Sequence, residues 1–331
     1  MSAVPAQRPA RWLIILAFLT VYLIWGSSYI GIRFAVETIP PFLMAGTRFA
    51  AAGLILIAWS RVIGCPLPTR SNWRAAVLAS LPMFLINNSL LVWAQAQGLP
   101  SGIAAVVIAS TPMWVVLLTW MRPHGKRPSV RVAAGIGLGT LGIVLLANPA
   151  QAVGERFDPL LVLCIVIAAA AWAFGSLYGR TADLPKSAPL STGMQLLTGG
   201  GMILILSVVS GDAASFDPAS VQLSSVIAMT HLTLMSSVIA FTAFTWLMRT
   251  VAPARAMTYA YVNPVVAVFL GWLLAGETLD WVTLIAAGVI IAGVFLIVAE
   301  PGKAKAKQRT LNAPPNGREP APPQPAPAVG K

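Results

Sequence analysis

Ten runs of about 20 mostly apolar residues succeed one another along the chain, each ended by turn chemistry. As an α-helix rising 1.5 Å per residue, such a run crosses a hydrocarbon core roughly 30 Å thick. The runs lie at 12–32, 41–60, 74–95, 102–121, 130–148, 159–179, 189–209, 223–248, 254–275 and 281–299. Pro40-Pro41, Gly64-Cys65-Pro66, Gly98-Leu99-Pro100, Asn148-Pro149 and Gly211-Asp212 punctuate them, as residues that break helices do. Only 10% of the residues are charged and 57% are hydrophobic. A water-coated chain carries roughly 25% charged residues, so most of this surface must face something other than water. The expected fold is an all-α integral membrane protein of ten transmembrane helices. Cys65 and Cys164 are too few for a disulfide framework and lack metal-ligand spacing.

The net charge of +12 suggests nucleic acid only until its distribution is read. Arg8 and Arg11 precede the first run. Arg61, Arg70 and Arg74 follow the second, and Arg122, Lys126, Arg127 and Arg131 the fourth. Arg180 and Lys186 follow the sixth, Arg249 and Arg255 the eighth, and the six basic residues from Lys303 to Lys331 the tenth. One side thus collects 19 of the 22 basic residues, while Glu37, Glu155, Asp158, Asp212, Asp217, Glu277 and Asp280, seven of the ten acids, fall in the alternate loops. Lys and Arg mark cytoplasmic loops, so both termini are expected in the cytoplasm of a multi-pass protein of the bacterial inner membrane. The charge then reports topology, with a minor attraction to anionic lipid, and no nucleic-acid partner is implied. The N-terminus has the basic-then-apolar order of a signal peptide, but its apolar run is too long, so an uncleaved first helix is expected. Residues 301–331, rich in Pro, Ala and Lys, are expected to form a disordered cytoplasmic tail.

The halves echo each other. An offset of 147 carries Trp25 onto Trp172, Leu43 onto Leu190, Gly46 onto Gly193 and Arg48 onto Gln195. An offset of 152 carries Ala104 onto Ala256, Pro112 onto Pro264 and Trp120 onto Trp272. Two five-helix repeats follow, 1–148 and 149–300, and an odd number of spans per repeat inverts the second relative to the first.

These residues also resemble a family. Trp25-Gly26-Ser27-Ser28, Pro41 through Arg48-Phe49, Ser101-Gly102-Ile103-Ala104-Ala105 before Pro112, and Asn263-Pro264 before Gly276-Glu277 are similar to the drug/metabolite transporter superfamily, EamA type. The resemblance covers about 12–299. It implies a ten-helix transporter with an inverted five-plus-five repeat and a central cavity, exporting amino acids, related metabolites or toxic compounds. The first half departs from the pattern, with His124-Gly125-Lys126 where the second has Gly276-Glu277.

Polar side chains inside a bilayer are costly and mark candidate sites. Arg48, about eight residues into its helix, is expected roughly 12 Å below one boundary, as a carboxylate anchor, a gating partner or a scaffold group. His231 enters from the same side, as an interhelical hydrogen-bonding or a titrating group. Trp25, Tyr29 and Arg33 share one helix face, with Ser28 beside them, and Trp172 and Ser176 share another. Asn88, Leu91 and Gln95 line one side of the third helix; His231, Met235, Val238, Thr242 and Thr245 one side of the eighth; Tyr259 and Asn263 pair on the ninth. Asn87, next to Asn88, is expected to line the cavity, and Gln195 is Arg48's repeat partner. Trp25, Trp114 and Trp172 are deep enough to stack on a cargo, with the cavity passing between Trp25 and Trp172. Trp12, Trp59, Trp73 and Trp281 sit at span ends as interfacial anchors. Pro112 and Pro264 are expected to kink their helices and release the carbonyls of Ile108 and Ala260. Gly135, Gly139 and Gly142 read as a packing face.

An enzyme would bring clustered acids, a metal pair or a nucleophile beside a base. The two histidines, His124 and His231, are far apart, and no phosphate-binding glycine loop is present. A channel would show charge rings or a filter sequence. The expectation is therefore a secondary active transporter, not an enzyme, without cofactor or metal. It would act as a monomer or weak homodimer on an amino acid or related small metabolite, with an aromatic or apolar part favoured by the deep rings. A toxic-compound exporter of the same fold, or a membrane-embedded enzyme, is the alternative.

Overall fold

The computed structural model describes residues 10–97, 107–123, 125, 127–146, 158–275 and 281–299. Those up to Val298 pack as one unit. The helices are α1 (Arg11–Ala35), α2 (Pro41–Val62), α3 (Arg70–Ser80), α4 (Asn87–Ala96), α5 (Thr111–Trp120), α6 (Val130–Leu146) and α7 (Pro159–Thr181). They continue with α8 (Ala188–Val209), α9 (Leu223–His231), α10 (Phe241–Thr250), α11 (Pro253–Ala256), α12 (Tyr259–Ala275) and α13 (Trp281–Val298). A π-helical segment, Leu81–Ile86, joins α3 to α4, and another, Leu232–Ala240, joins α9 to α10. Among the described residues six continuous helices are long and apolar enough to cross a membrane. The tail at 301–331, the Gly98-Leu99-Pro100 and Gly276-Glu277 turns, His124, Lys126 and residues 147–157 lie outside the described residues, as do the side chains of Tyr29, Arg33 and Gln95.

Hydrogen bonds gather the α2–α3, α7–α8 and α10–α11 connections at one end and the α1–α2 and α8–α9 connections at the other. At one end, Asn72 Nδ2 donates to the Asp183 carbonyl, Arg180 Nη1 to that of Val251 and Arg249 Nη1 to that of Pro185, at 2.7, 2.8 and 2.8 Å. At the other, Thr38 Oγ1 donates to Ser225 Oγ at 2.8 Å. Here the Leu43 amide also donates to Asp212 Oδ2 at 2.9 Å. Helix α2 begins Pro40-Pro41, with no side chain to cap its first-turn amides. Asp212 supplies the cap from the far side of the sequence, a carboxylate at a helix N-terminus where charge and dipole agree.

The closest helix pairs are α2 with α8 and α6 with α13. A Cβ at Gly53 would lie 2.5 Å from the Leu197 nitrogen, and one at Gly200 2.5 Å from the Ala50 nitrogen. Only hydrogen fits there, which is what lets the backbones of α2 and α8 touch. The expected glycine face of α6 is present: a Cβ on Gly135 would meet the Gly293 carbonyl at 2.7 Å and one on Gly142 the Ile290 nitrogen at 2.9 Å. Trp12, Trp59 and Trp281 are exposed. Trp73, in the first turn of α3, is half-buried and packs on the cluster of Ala75, Leu190 and Met194.

Three local expectations need correction. The third and eighth runs are not uniform α-helices. Pro82 has no amide to give to the carbonyl four residues back, and the wider Leu81–Ile86 turn surrounds it. In the eighth run Ser237 Oγ donates to the Leu232 carbonyl at 3.0 Å, competing with the ladder. The ninth run is broken at Met257-Thr258, with α12 starting only at Tyr259. Pro112 does not kink a helix: it is the second residue of α5, and the Ile108 carbonyl accepts from Thr111 Oγ1 at 2.6 Å. Pro264 does lie inside α12.

The glycine contact is testable. Gly53→Ala is expected to destabilise the purified protein by about 1–3 kcal/mol through overpacking. Gly201→Ala, inside α8 where a Cβ meets nothing within 4 Å, should leave the melting temperature unchanged or raise it slightly, since alanine is the better helix former. Equal melting of the two variants would mean that the α2–α8 contact does not hold the bundle.

Candidate functional site

A cavity of about 210 Å³ opens midway along the bundle. Its walls come from α1 (Trp25, Ser28), α2 (Arg48, Phe49), the first π segment and α4 (Phe84, Asn87, Asn88), and α7 (Trp172). The second π segment adds Ser236 and Ser237, α10 adds Phe241, and α12 adds Tyr259, Asn263 and Pro264. No acidic side chain is among these residues.

Arg48 is buried, 8% exposed. Its Nε and Nη1 have no hydrogen-bond partner, and its guanidinium carbon sits 4.3 Å from the centroid of the Phe49 ring. A cation over a ring gains only about 0.5–2 kcal/mol, less than the loss of the hydrogen bonds that water would have made to a charged group. Asn263 Oδ1 and Trp172 Nε1 are likewise buried without partners. Asn87, by contrast, donates from Nδ2 to the Ala168 carbonyl at 2.9 Å, tying α4 to α7 while it lines the cavity.

An aromatic layer closes the cavity toward the end where Arg180 and Arg249 lie. Trp25 meets Tyr259 edge-on at 4.7 Å and Phe244 at 5.2 Å, and Phe241 meets Phe84 at 5.4 Å and Trp172 at 6.2 Å. Trp25 Nε1 donates to the Ser236 carbonyl at 3.1 Å, fixing its ring. Trp25 and Trp172 touch, 6.2 Å between centroids. The cavity therefore does not pass between them, as the repeat alone suggested; together they form its floor. Beyond that layer Tyr22 Oη and Thr258 Oγ1 share a 2.5 Å hydrogen bond. The Arg180 and Arg249 caps tie the loops beyond it.

Eight of the thirteen residues singled out from the sequence meet in this cavity: Trp25, Ser28, Arg48, Asn87, Asn88, Trp172, Tyr259 and Asn263. Four do not. Ser176 and Gln195 line a separate void of about 20 Å³ beside Arg180 and Arg249, room for about one water. Repeat symmetry placed Gln195 opposite Arg48, but its Nε2 turns back to the Ser191 carbonyl at 3.1 Å. Trp114 packs on the main hydrophobic cluster. His231, the last residue of α9, lies outside the cavity: its Nε2 lies 3.2 Å from Ser27 Oγ. The π segment that follows shifts the helical phase and dissolves the predicted stripe, leaving Met235 exposed. Val238 and Thr242 turn to an outer groove of about 690 Å³, and Thr245 to the small void. The outer groove's walls are nearly all aliphatic or aromatic, with Leu16, Ile55 and Trp59 exposed on them, so it offers nothing to orient a polar cargo. The thirteenth residue, Tyr29, has its side chain outside the described residues.

The cavity also uses Phe84, Ser236, Ser237 and Phe241, which an α-helical reading did not select. Pro82 signalled the first irregular turn, and the Ser236-Ser237 pair was the available signal for the second. Among the described residues no group of His, Cys, Asp and Glu is arranged to hold a metal.

A helical bundle around one partly polar central cavity is the architecture of a membrane transport protein. The model of the EamA-like transporter family matches residues 12–148 and again 159–299, and the chain belongs to that family: it is a membrane transporter. It is similar, at 38% identity over 281 residues covering 85% of this chain and 89% of the relative, to the uncharacterized inner membrane transporter YedA of Escherichia coli (strain K12). At 22% identity over 287 residues, covering 85% and 93%, it is similar to a probable amino-acid metabolite efflux pump of Salmonella typhimurium. A solved crystal structure superposes with a TM-score of 0.71 at 22% identity, covering 92% of this chain and 100% of that one, so the fold is shared.

The aromatic layer makes an accessibility prediction. In protein with Cys65 and Cys164 replaced by alanine, Asn88→Cys is expected to react readily with a small water-soluble thiol reagent. Ser176→Cys, beyond the layer, should react much more slowly. Equal rates would show that the rings do not seal the cavity.

Proposed function

We propose that this chain is a secondary active exporter of amino acids or related small metabolites, working by alternating access around the central cavity. The observation that carries the reading is a cavity with walls from both halves of the chain, a buried unpaired Arg48, and closure at one end by packed rings. The eight residues that meet there are the proposed cargo contacts. The name of the Salmonella relative supports an amino-acid class of cargo.

Ten spans as an inverted five-plus-five repeat, 1–148 and 149–300, belong to the same reading. Two family matches, one per half, support it, and so does the contact pattern. The α2–α8 and α6–α13 pairs each join equivalent helices. The contacts of α1 with α12, with α10 and with the second π segment have counterparts in those of α7 with α5, with α4 and with the first π segment. The π segments Leu81–Ile86 and Leu232–Ala240 overlap under the same offset of 152. Both termini lie in the cytoplasm of a bacterial inner-membrane protein, so the cavity faces outward. The Lys/Arg side carries the cytoplasmic loops.

Two experiments test this. Proteoliposomes loaded with labelled amino acids and related metabolites should show saturable counterflow that empty vesicles lack. Trp172→Ala should weaken the apparent affinity for aromatic cargo by roughly 2- to 13-fold, the worth of one ring contact, and that for threonine much less. No counterflow with any of these compounds would overturn the exporter reading, and equal losses would reduce Trp172 to a packing residue. For topology, a single cysteine at Ser215 should be labelled from the periplasm by an impermeant thiol reagent and one at Leu67 only after the membrane is opened. The reverse pattern would invert the protein.

A further inference from the structure

The unpartnered atoms around the cavity are unevenly divided. Of the side chains lining it, Arg48 leaves Nε and Nη1 and Trp172 leaves Nε1 as buried donors without acceptors, against one unpartnered acceptor, Asn263 Oδ1. The only formal charge on the described wall is the guanidinium; the other polar groups there are neutral amides and hydroxyls. A guanidinium presents its N–H groups in a planar fork that fits two oxygens on one carbon. Resting on the transport reading above, we infer that the cavity selects cargo by its carboxylate: an acid group is required, and an amino group is dispensable.

The argument is electrostatic. A cargo carboxylate supplies two acceptor oxygens to a cation that has no acid of its own, in a space where aromatic walls exclude much of the water and strengthen the attraction. The ammonium of a zwitterion finds no counter-charge. It meets neutral oxygens such as Asn263 Oδ1, and it shares the cavity with Arg48, which repels it. Removing the amine therefore removes an interaction that gains little, whereas removing the carboxylate leaves a buried cation uncompensated. The rest of the wall, Phe49, Phe84, Phe241 and the two tryptophans, suits an apolar or aromatic body. The cargo class is a singly charged carboxylic acid with such a body, amino acids being the members that also carry an amine.

The test is a matched series on the purified full-length protein: 3-phenylpropanoate, phenylalanine, 2-phenylethylamine and 3-phenylpropanamide, with hexanoate as the aliphatic acid. Binding is read by the fluorescence of the cavity tryptophans and by calorimetry. The acids should bind, phenylalanine no more tightly than 3-phenylpropanoate, and the amine and amide at least about thirtyfold more weakly, as expected when a buried charge loses its partner. Arg48→Gln should erase the difference between acid and amide, and Arg48→Lys should keep it at reduced affinity. Equal binding of 2-phenylethylamine and 3-phenylpropanoate, failure of every acid to bind, or an unchanged preference in well-folded Arg48→Gln would each overturn the inference. Should Arg48→Gln fail to fold, the ranking in the unaltered protein decides. Counterflow of amines in place of acids would keep the transporter and remove the charge selection. Acids that bind without being transported would do the opposite.

Discussion

Inside hydrocarbon a chain must satisfy its own backbone polar groups, and an unbroken α-helix is how a single segment does so. Irregular backbone is tolerated there only where it is buried in protein or lines a cavity. This structure obeys that constraint closely enough for the irregularities to locate the site. Phe84 lies in one π segment and Asn87 caps its end, while Ser236 and Ser237 lie in the other. Pro264, which removes an amide from α12, also lines the cavity. Each departure from α geometry turns residues toward the same space. The cavity is where the ladder is allowed to loosen, and the loosened turns supply much of its polarity.

The rest of the bundle is tight by comparison. Lipid tails are as apolar as leucine, so helices in a bilayer are held by close packing and scattered hydrogen bonds more than by water's exclusion. Glycine contacts between α2 and α8 and between α6 and α13 do this. Such contacts resist sliding, whereas the aromatic layer around Trp25 and Phe244 is built from rings meeting at varied angles over 4.7 to 6.2 Å. Edge-on ring contacts are individually worth about 0.5–1.5 kcal/mol, so the layer closes one end of the cavity without a covalent or ionic lock. A firm frame with a soft closure is the mechanical combination alternating access requires.

Much of this was legible in the residues. Apolar run lengths located most of the described helices, and the echo of Trp25 in Trp172 and of Pro112 in Pro264 falls across the two stretches that each match the family model. Polar residues such as Ser28, Arg48 and Asn263, which lie outside the π segments and were singled out by depth or by helical spacing, line the cavity. The failures follow a helix's phase. Val238 and Thr242 were aligned with His231 at 3.6-residue spacing across a stretch that adopts π geometry, and one changed turn rotates every later side chain. Gln195 failed for a different reason. A correspondence between the two halves of the sequence does not require a glutamine to reach as far as an arginine, and this one folds back on Ser191.

The contrast among the polar side chains narrows what Arg48 is for. Asp212 faces an amide and a hydroxyl, accepting from Leu43 N and Ser207 Oγ. Arg249 donates to the Pro185 carbonyl and to Ser191 Oγ, and Arg180 to the Val251 carbonyl. Asn87 has its carbonyl on α7. Each sits where a structural role needs it and has been given protein partners. Arg48 is more deeply buried than Arg180 or Arg249, so leaving it unpartnered costs more, and a scaffold role would have given it a carbonyl or an acid as its neighbours were given. A long cation kept without partners at the wall of a cavity loses that cost only when something enters. On the proposed reading, the free energy withheld from folding the protein is then available for holding the cargo.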